Sequence, residues 1–162
     1  MLFRSIGHYH CPSCGFARPT AQYALTHLAA DGLLGSRLVV RTPHGSVPVA
    51  LPLPGLYNAM NAVATYACAA ELQIADQVAP ALVHMQAAFG RYEVVPVDTR
   101  HVVLALIKNP VGASETIRMF VDAWQTPQPM LIIINDFDQD GTDVSWLWDA
   151  DFEQLEIGRA HV

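Results

Sequence analysis

The sequence predicts an α/β chain made of two consecutive pieces, and three observations carry that reading. Short β-rich runs followed by Ala-rich helical periodicity fill the first half. Continuous apolar β-branched runs at residues 102–107 and 130–134 bracket a helical segment in the second. Pro96 interrupts the pattern between them, which places a boundary near residues 94–99. With 162 residues and 52% hydrophobic content the chain can fill a core, so intrinsic disorder is excluded for most of it.

The elements follow in order. Arg37-Leu-Val-Val-Arg-Thr42 and Val47-Pro-Val-Ala-Leu-Pro-Leu53 flank Pro43-His-Gly-Ser46, whose residues are turn formers, and the three together predict an antiparallel hairpin. From Gly55 to Leu72, apolar residues at Met60, Val63, Ala64, Ala67 and Leu72 predict a helix with that face buried. Cys68 lies among alanines and reads as a small buried apolar residue. A second helix is predicted over residues 74–89, with Asp76 in the first turn where the helix dipole favours an acid. The runs at 102–107 and 130–134 suit strands of a parallel sheet covered on both faces. Residues 113–124 supply the crossover helix of one right-handed βαβ unit. Residues 1–5 and 157–162 show no periodicity, cap or turn logic. They read as translated sequencing-adapter DNA, and the chain is therefore expected to be a fragment of a longer gene, cut at both ends.

Composition narrows the function. Charged residues are 15% of the chain, the net charge is −6, and there is no Lys/Arg run, which argues against a nucleic-acid groove or an anionic membrane surface. The apolar runs are strand-length and far short of the roughly 20 residues a membrane span needs, and no signal-peptide pattern opens the chain. Three cysteines, two of them as Cys11-Pro-Ser-Cys14, fit a reducing compartment and a metal or redox pair better than a disulfide scaffold.

Five segments carry candidate chemistry. In His8-Tyr-His-Cys11-Pro-Ser-Cys14-Gly-Phe the thiols of Cys11 and Cys14 sit on a tight turn, with Gly15 freeing the backbone, as a zinc knuckle requires. Four ligands are needed, and either His8 or His10, or a further Cys pair upstream, would complete the set. A thioredoxin-type redox pair is disfavoured because Gly15-Phe-Ala-Arg-Pro19 is a poor helix start; an incidental pair is the remaining alternative. In Pro54-Gly-Leu-Tyr-Asn58-Ala-Met-Asn61 the amides of Asn58 and Asn61 lie three apart on one helical face, able to cap or brace a loop or to pair with an adenine edge. Gly90-Arg91-Tyr-Glu93 offers a guanidinium for a phosphate or ribose, or a plain surface Arg–Glu pair. Lys108-Asn-Pro-Val-Gly112 follows the first apolar run, at the strand end where open α/β sheets bind ligands, although such a lysine can equally be solvated.

The fifth segment, residues 135–153, holds seven acids and two tryptophans. Its opening imitates a calcium loop, but Leu147 stands where an EF-hand needs Glu. One carboxylate could instead hold a neighbouring imidazole in one tautomer, while others cap and brace the loop.

In this order, Tyr-x-Cys-Pro-x-Cys-Gly-Phe, Pro-Gly-x-Tyr-Asn-x-x-Asn, Gly-Arg-x-Glu, Lys-Asn-Pro-x-Gly and Asn-Asp-x-x-x-Asp-Gly-x-Asp-x-Ser-Trp resemble the MurT family of Mur-ligase-like proteins, subunits of lipid II isoglutaminyl synthase. The resemblance spans about His8 to Gln154. It implies the C-terminal part of a Mur-ligase middle domain with half a zinc ribbon, followed by the start of a Rossmann-like C-terminal domain. Residues 6–20 would be the second half of the ribbon, 21–95 the remainder of the middle, ATP-binding domain, and 96–155 the start of the C-terminal domain.

Such proteins use ATP and Mg2+ to activate the α-carboxyl of D-glutamate in the lipid II stem peptide, and ammonia comes from a GatD-like glutaminase carrying Cys and His. By the same resemblance Asp143 completes the partner's triad by orienting its His, Cys11 and Cys14 bind structural zinc, and Asn58, Asn61, Arg91 and Lys108 line the nucleotide site. The expected setting is cytoplasmic, at the inner membrane face through lipid II. This chain has no Gly-x-x-Gly-Lys-Thr phosphate loop, so ATP hydrolysis by the fragment alone is not expected. The alternatives are a Mur-type amino-acid ligase with no glutaminase partner, and a zinc-ribbon binding module without catalysis.

Overall fold

A computed structural model describes residues 2–5, 8–87, 92–124, 126, 128–137 and 142–155. The chain opens with a short antiparallel pair, β1 (Leu2–Ser5) and β2 (His8–His10), in register Leu2 to His10. Residues 2–5, which show no pattern in the sequence, are thus paired along their backbone.

The first packed layer is an antiparallel meander of β3 (Ala24–Ala30), β4 (Ser36–Thr42) and β5 (Gly45–Leu51), in spatial order β3-β4-β5. The β4–β5 hairpin is the one the sequence predicts, with Thr42 opposite Gly45. The Thr42 hydroxyl donates to the Gly45 carbonyl (3.0 Å) and accepts from the His44 amide (3.1 Å), which fixes the two-residue turn. Alternation places Ser36, Leu38, Val40 and Thr42 on the buried face. Pro48 is tolerated because β5 is an edge strand, where a missing N–H breaks no ladder.

The second layer is α1 (Leu56–Glu71), packed on β3 and β4, with the short α2 (Val78–Leu82) against β5. Leu38, Val40, Val49, Leu51 and Leu53 meet Ala59, Ala62, Val63, Val78 and Leu82 in one continuous core. The buried stripe of α1 is therefore Ala59, Ala62, Val63 and Ala69, which shares Val63 with the predicted face but is rotated away from the rest of it. Met60 and Leu72 are exposed, and so is Cys68, contrary to its expected burial. The cause is the alanine richness of α1: small residues let several faces approach a sheet, and contact with β3 selects one. The helix predicted over 74–89 is also corrected. A 3-10 turn (Ala75–Gln77) leads into α2, which stops at Leu82, and residues 83–87 are not helical. In a helix begun at residue 74, Pro80 would fall in the interior, where its ring and missing N–H break the ladder; in α2 it sits in the first turn, where no bond is lost.

The second half pairs β6 (Glu93–Val97) with β7 (Arg100–Leu104), again antiparallel. It continues through α3 (Pro110–Ala123) to two 3-10 turns, Ser145–Asp149 and Phe152–Gln154. Here Ala113, Ile117, Phe120 and Ala150 are buried. The predicted parallel βαβ unit does not form among the described residues. Residues 102–104 pair antiparallel with β6, and residues 128–137 contain no strand, with Leu131 82% and Ile133 79% exposed. An apolar run becomes a buried strand only when another strand lies beside it and a layer covers it; among the described residues no strand lies beside 128–137, and 102–104, though paired with β6, stay largely exposed. The halves meet where Met119 of α3 approaches Gly55, and where the Tyr92 hydroxyl donates to the Leu33 carbonyl (2.5 Å).

Candidate functional site

The Cys11–Cys14 turn is built by backbone bonds. The Gly15 amide donates to the Cys11 carbonyl (2.9 Å) and the Cys11 amide to the Phe16 carbonyl (2.7 Å). Gly15 holds φ +74°, a conformation that glycine adopts without strain. Tyr9 and Phe16 stack at 5.4 Å and close the loop. The Cys14 amide, then the Cys14 thiol and the Ser13 amide, hold the Cys11 thiol below its ordinary range. Backbone donors aimed at a sulfur stabilise thiolate, the form that ligates metal, so the turn suits one half of a tetrahedral site. Among the described residues no third His, Cys, Asp or Glu joins the pair.

The start of α1 shows why its sequence begins Pro-Gly-x-Tyr-Asn. Gly55 is the N-cap at φ 92°, ψ 155°, and the Asn58 amide nitrogen donates to the Pro54 carbonyl (2.7 Å), bracing the loop from inside the first turn. That is the bracing role weighed for Asn58. Asn61 is exposed one turn on, and its backbone carbonyl accepts from Thr65 Oγ1 (2.9 Å). Arg91 lies outside the described residues.

Lys108 is exposed in the connection to α3. Its setting differs from the predicted one, because β7 ends at Leu104 and is largely exposed rather than buried. Asn109 is the N-cap of α3, its Oδ1 accepting from the Gly112 amide (2.8 Å), and Pro110 occupies the first helical position. The spacing of Asn-Pro-x-Gly is thus a helix-start device.

Asp143 stands exposed just before the turn Ser145–Asp149, its Oδ1 accepting from the Ser145 amide (2.9 Å). The Ser145 hydroxyl first, and that amide second, hold its carboxyl below the usual carboxylate range. The carboxylate is therefore charged, oriented and open to an incoming group. Behind it the turn is docked on α3. Ala150 is buried, the Asp151 amide donates to Ser114 Oγ (3.0 Å), and Ser114 Oγ donates to the Pro110 carbonyl (2.9 Å). Sequence reading missed Ser145 as the group that fixes Asp143, although the Asp-x-Ser spacing of a side-chain turn was visible. Of the acids suspected of calcium binding, Asp138 and Asp140 lie outside the described residues.

One cleft of about 900 Å³ is lined by Leu33, Leu53, Met85, Tyr92 and Glu93, among others, and by none of the described site residues predicted from sequence. Among the described residues the candidates lie apart, on a knuckle, two helix starts and one capped turn.

Residues 106–161 match the family described as MurT ligase C-terminal. Over 154 residues, 94% of this chain, it is 36% identical to the lipid II isoglutaminyl synthase (glutamine-hydrolyzing) subunit MurT of Streptococcus pneumoniae, and 29% identical to that of Staphylococcus aureus. The chain spans about a third (33%) of the length of these relatives. Among solved structures it resembles MurF of Acinetobacter baumannii, with TM-score 0.55 and 23% identity over 60% of this chain and 22% of that one. It also resembles MurC of Thermotoga maritima, with TM-score 0.57 and 18% identity over 65% and 25%. These structural likenesses are to Mur ligases and concern the fold.

Proposed function

We propose, for a chain that is MurT-like along 94% of its length, that it forms part of an ATP-dependent carbon–nitrogen ligase subunit. With a GatD-type glutaminase, that subunit would amidate the α-carboxyl of D-glutamate in the lipid II stem peptide. The observation that carries this reading is the 36% identity to a glutamine-hydrolyzing synthase subunit, running through the Asp143 turn. Residues 6–20 would be half of a zinc ribbon, 21–95 the end of the ATP-binding domain and 96–155 the start of a Rossmann-like domain.

The chemistry assigned to the residues follows from their settings. Cys11 and Cys14 are two thiols on a turn that favours thiolate, and would hold zinc with ligands from elsewhere in the protein, a structural role. ATP with Mg2+ would activate the carboxyl. Asn58 and Asn61 at the start of α1, Arg91, and Lys108 before α3 are the groups proposed to face the nucleotide. Asp143 acts on the partner. A charged carboxylate held by Ser145 accepts the N–H of an imidazole, fixes its tautomer and stabilises the imidazolium formed when the glutaminase cysteine gives up its proton. The active setting would be cytoplasmic, where lipid II is made available at the inner membrane face; among the described residues no helix is long and apolar enough to cross a membrane.

The test is Asp143→Asn in the complete ligase subunit assembled with its glutaminase. Amidation driven by glutamine should fall by about 10⁴-fold, the scale of losing a triad's orienting acid, and amidation driven by free ammonia should persist. Equal loss of both would refute the role in the partner's triad. Failure of the unsubstituted complex to use either nitrogen source would refute the ligase reading.

A further inference from the structure

Trp148 is 91% exposed, and nothing in the chemistry assigned above uses it. Its position follows from the turn that carries it. In a 3-10 helix side chains three apart eclipse one another, so within Ser145–Asp149 the residues Ser145 and Trp148 share a face, roughly 6 Å apart along the axis. Trp146 and Leu147 are partly buried, and the turn is tied to α3 through Ala150 and the bond from Asp151 to Ser114. The Asp143 carboxylate is bound to the Ser145 amide at the start of this docked turn, and Trp148 stands one 3-10 turn further along it. A protein that brings an imidazole to Asp143 comes within reach of Trp148.

Charge gives the same direction. Residues 126–157 contain no Lys, Arg or His, while Asp143, Asp149, Asp151 and Glu153 surround the indole in sequence. An exposed indole on a segment carrying acids and no basic residue suits a partner with an apolar socket rimmed by basic groups. Aromatic anchors of this kind dominate interface energies, with surrounding polar contacts serving mainly to exclude water and set register.

We propose that Trp148 is the anchor by which this subunit docks its glutaminase partner, seating the partner's histidine on Asp143. The proposal rests on the function proposed above and adds the contact that assembles the two-subunit site. It assigns Trp148 to association and Asp143 to catalysis, and the two are separable by experiment.

The experiment uses the complete ligase subunit and the glutaminase subunit encoded in the same genome, with the dissociation constant measured by calorimetry at two salt concentrations. Trp148→Ala should weaken association by about 30-fold or more, the threshold for an interface hot spot. Trp148→Phe should recover most of that loss, and Asp143→Asn should bind nearly as tightly as the unsubstituted protein. Glutamine-driven amidation by Trp148→Ala should return as the partner concentration is raised above its new dissociation constant, which it cannot do for Asp143→Asn. Association of Trp148→Ala within about threefold of the unsubstituted protein overturns the anchor. So does a lowered melting temperature of the isolated Trp148→Ala subunit with an unchanged dissociation constant, because the indole is then covered by its own chain. If the unsubstituted subunit binds no glutaminase, the functional reading falls and the anchor falls with it.

Discussion

Leu38 and Val40 of β4 are 1% and 0% exposed, whereas Leu131 and Ile133, in a run just as apolar, are 82% and 79% exposed. Side chains of one kind thus have opposite fates in the two halves of the chain. In the first half a neighbouring strand satisfies the backbone of β4 on each side, and α1 supplies the second layer that removes water from its face. In the second half α3 buries its own stripe, yet no described strand lies beside residues 128–137. Burial is therefore decided by the second layer rather than by hydrophobicity, and each half should respond to substitution accordingly.

The largest effect is expected from Leu38→Ala. Removing the buried isobutyl group should lower unfolding free energy by about 2–5 kcal/mol, through lost transfer energy and the cavity left behind. Leu131→Ala should change it by about 0.5 kcal/mol or less, as for other surface positions. Urea denaturation of the two variants against the unsubstituted chain checks the pair. Equal losses would mean that residues 130–134 are covered in solution and would abolish the contrast between the halves.

The same contrast explains what could be read from sequence. The β4–β5 hairpin was legible because one face is buried and alternation records it. β3 was not. Its ladder with β4 shifts register between Leu25 and His27, and Leu25 and Leu28, three residues apart, both pack on the core. The irregularity converts a two-residue period into a three-residue one, and Ala-Leu-Thr-His-Leu-Ala-Ala has little β-branched content to offset it. In the second half the apolar runs were legible as apolar, but their partners were not, since pairing is a property of the neighbour. At the site, the helix-start logic of Asn109 and Pro110 was written in residue type. The shared face of Ser145 and Trp148 was not, because it depends on the segment winding as a 3-10 turn instead of an α-helix.

A smaller effect should come from the joint between the halves. Gly55, at φ 92° and ψ 155°, occupies a region essentially restricted to glycine, and an added Cβ would lie 3.4 Å from Met119 Sδ. Gly55→Ala should cost about 1–3 kcal/mol, read from thermal melting. Because the cost lies in the backbone, Met119→Ala in the same chain should fail to restore stability beyond its own effect. Restoration would show that contact between the halves, and not the torsion angle, sets the requirement for glycine.

A smaller effect than at Gly55 is expected at the other joint, and it carries a distinct pH signature. Tyr92 donates to the Leu33 carbonyl, and burial pushes its phenol up to about 12 from an ordinary value near 10. Tyr92→Phe keeps the ring and removes the bond, so it should cost about 0.5–1.5 kcal/mol at neutral pH. Between about pH 10 and 12 the unfolded chain loses the Tyr92 proton while the folded chain retains it. The folded state then binds more protons than the unfolded one, and stability falls as pH rises. The partial exposure of Tyr92 reduces the size of that fall, leaving its direction intact. The phenylalanine variant lacks this group, so its stability should decline less steeply across the same window, and the two curves should converge as the phenol ionises. Parallel curves from pH 9 to 12 would mean that Tyr92 titrates alike in folded and unfolded chains. Its hydroxyl would then be solvated, and the bond joining residue 92 to the β3–β4 turn would contribute nothing to holding the halves together.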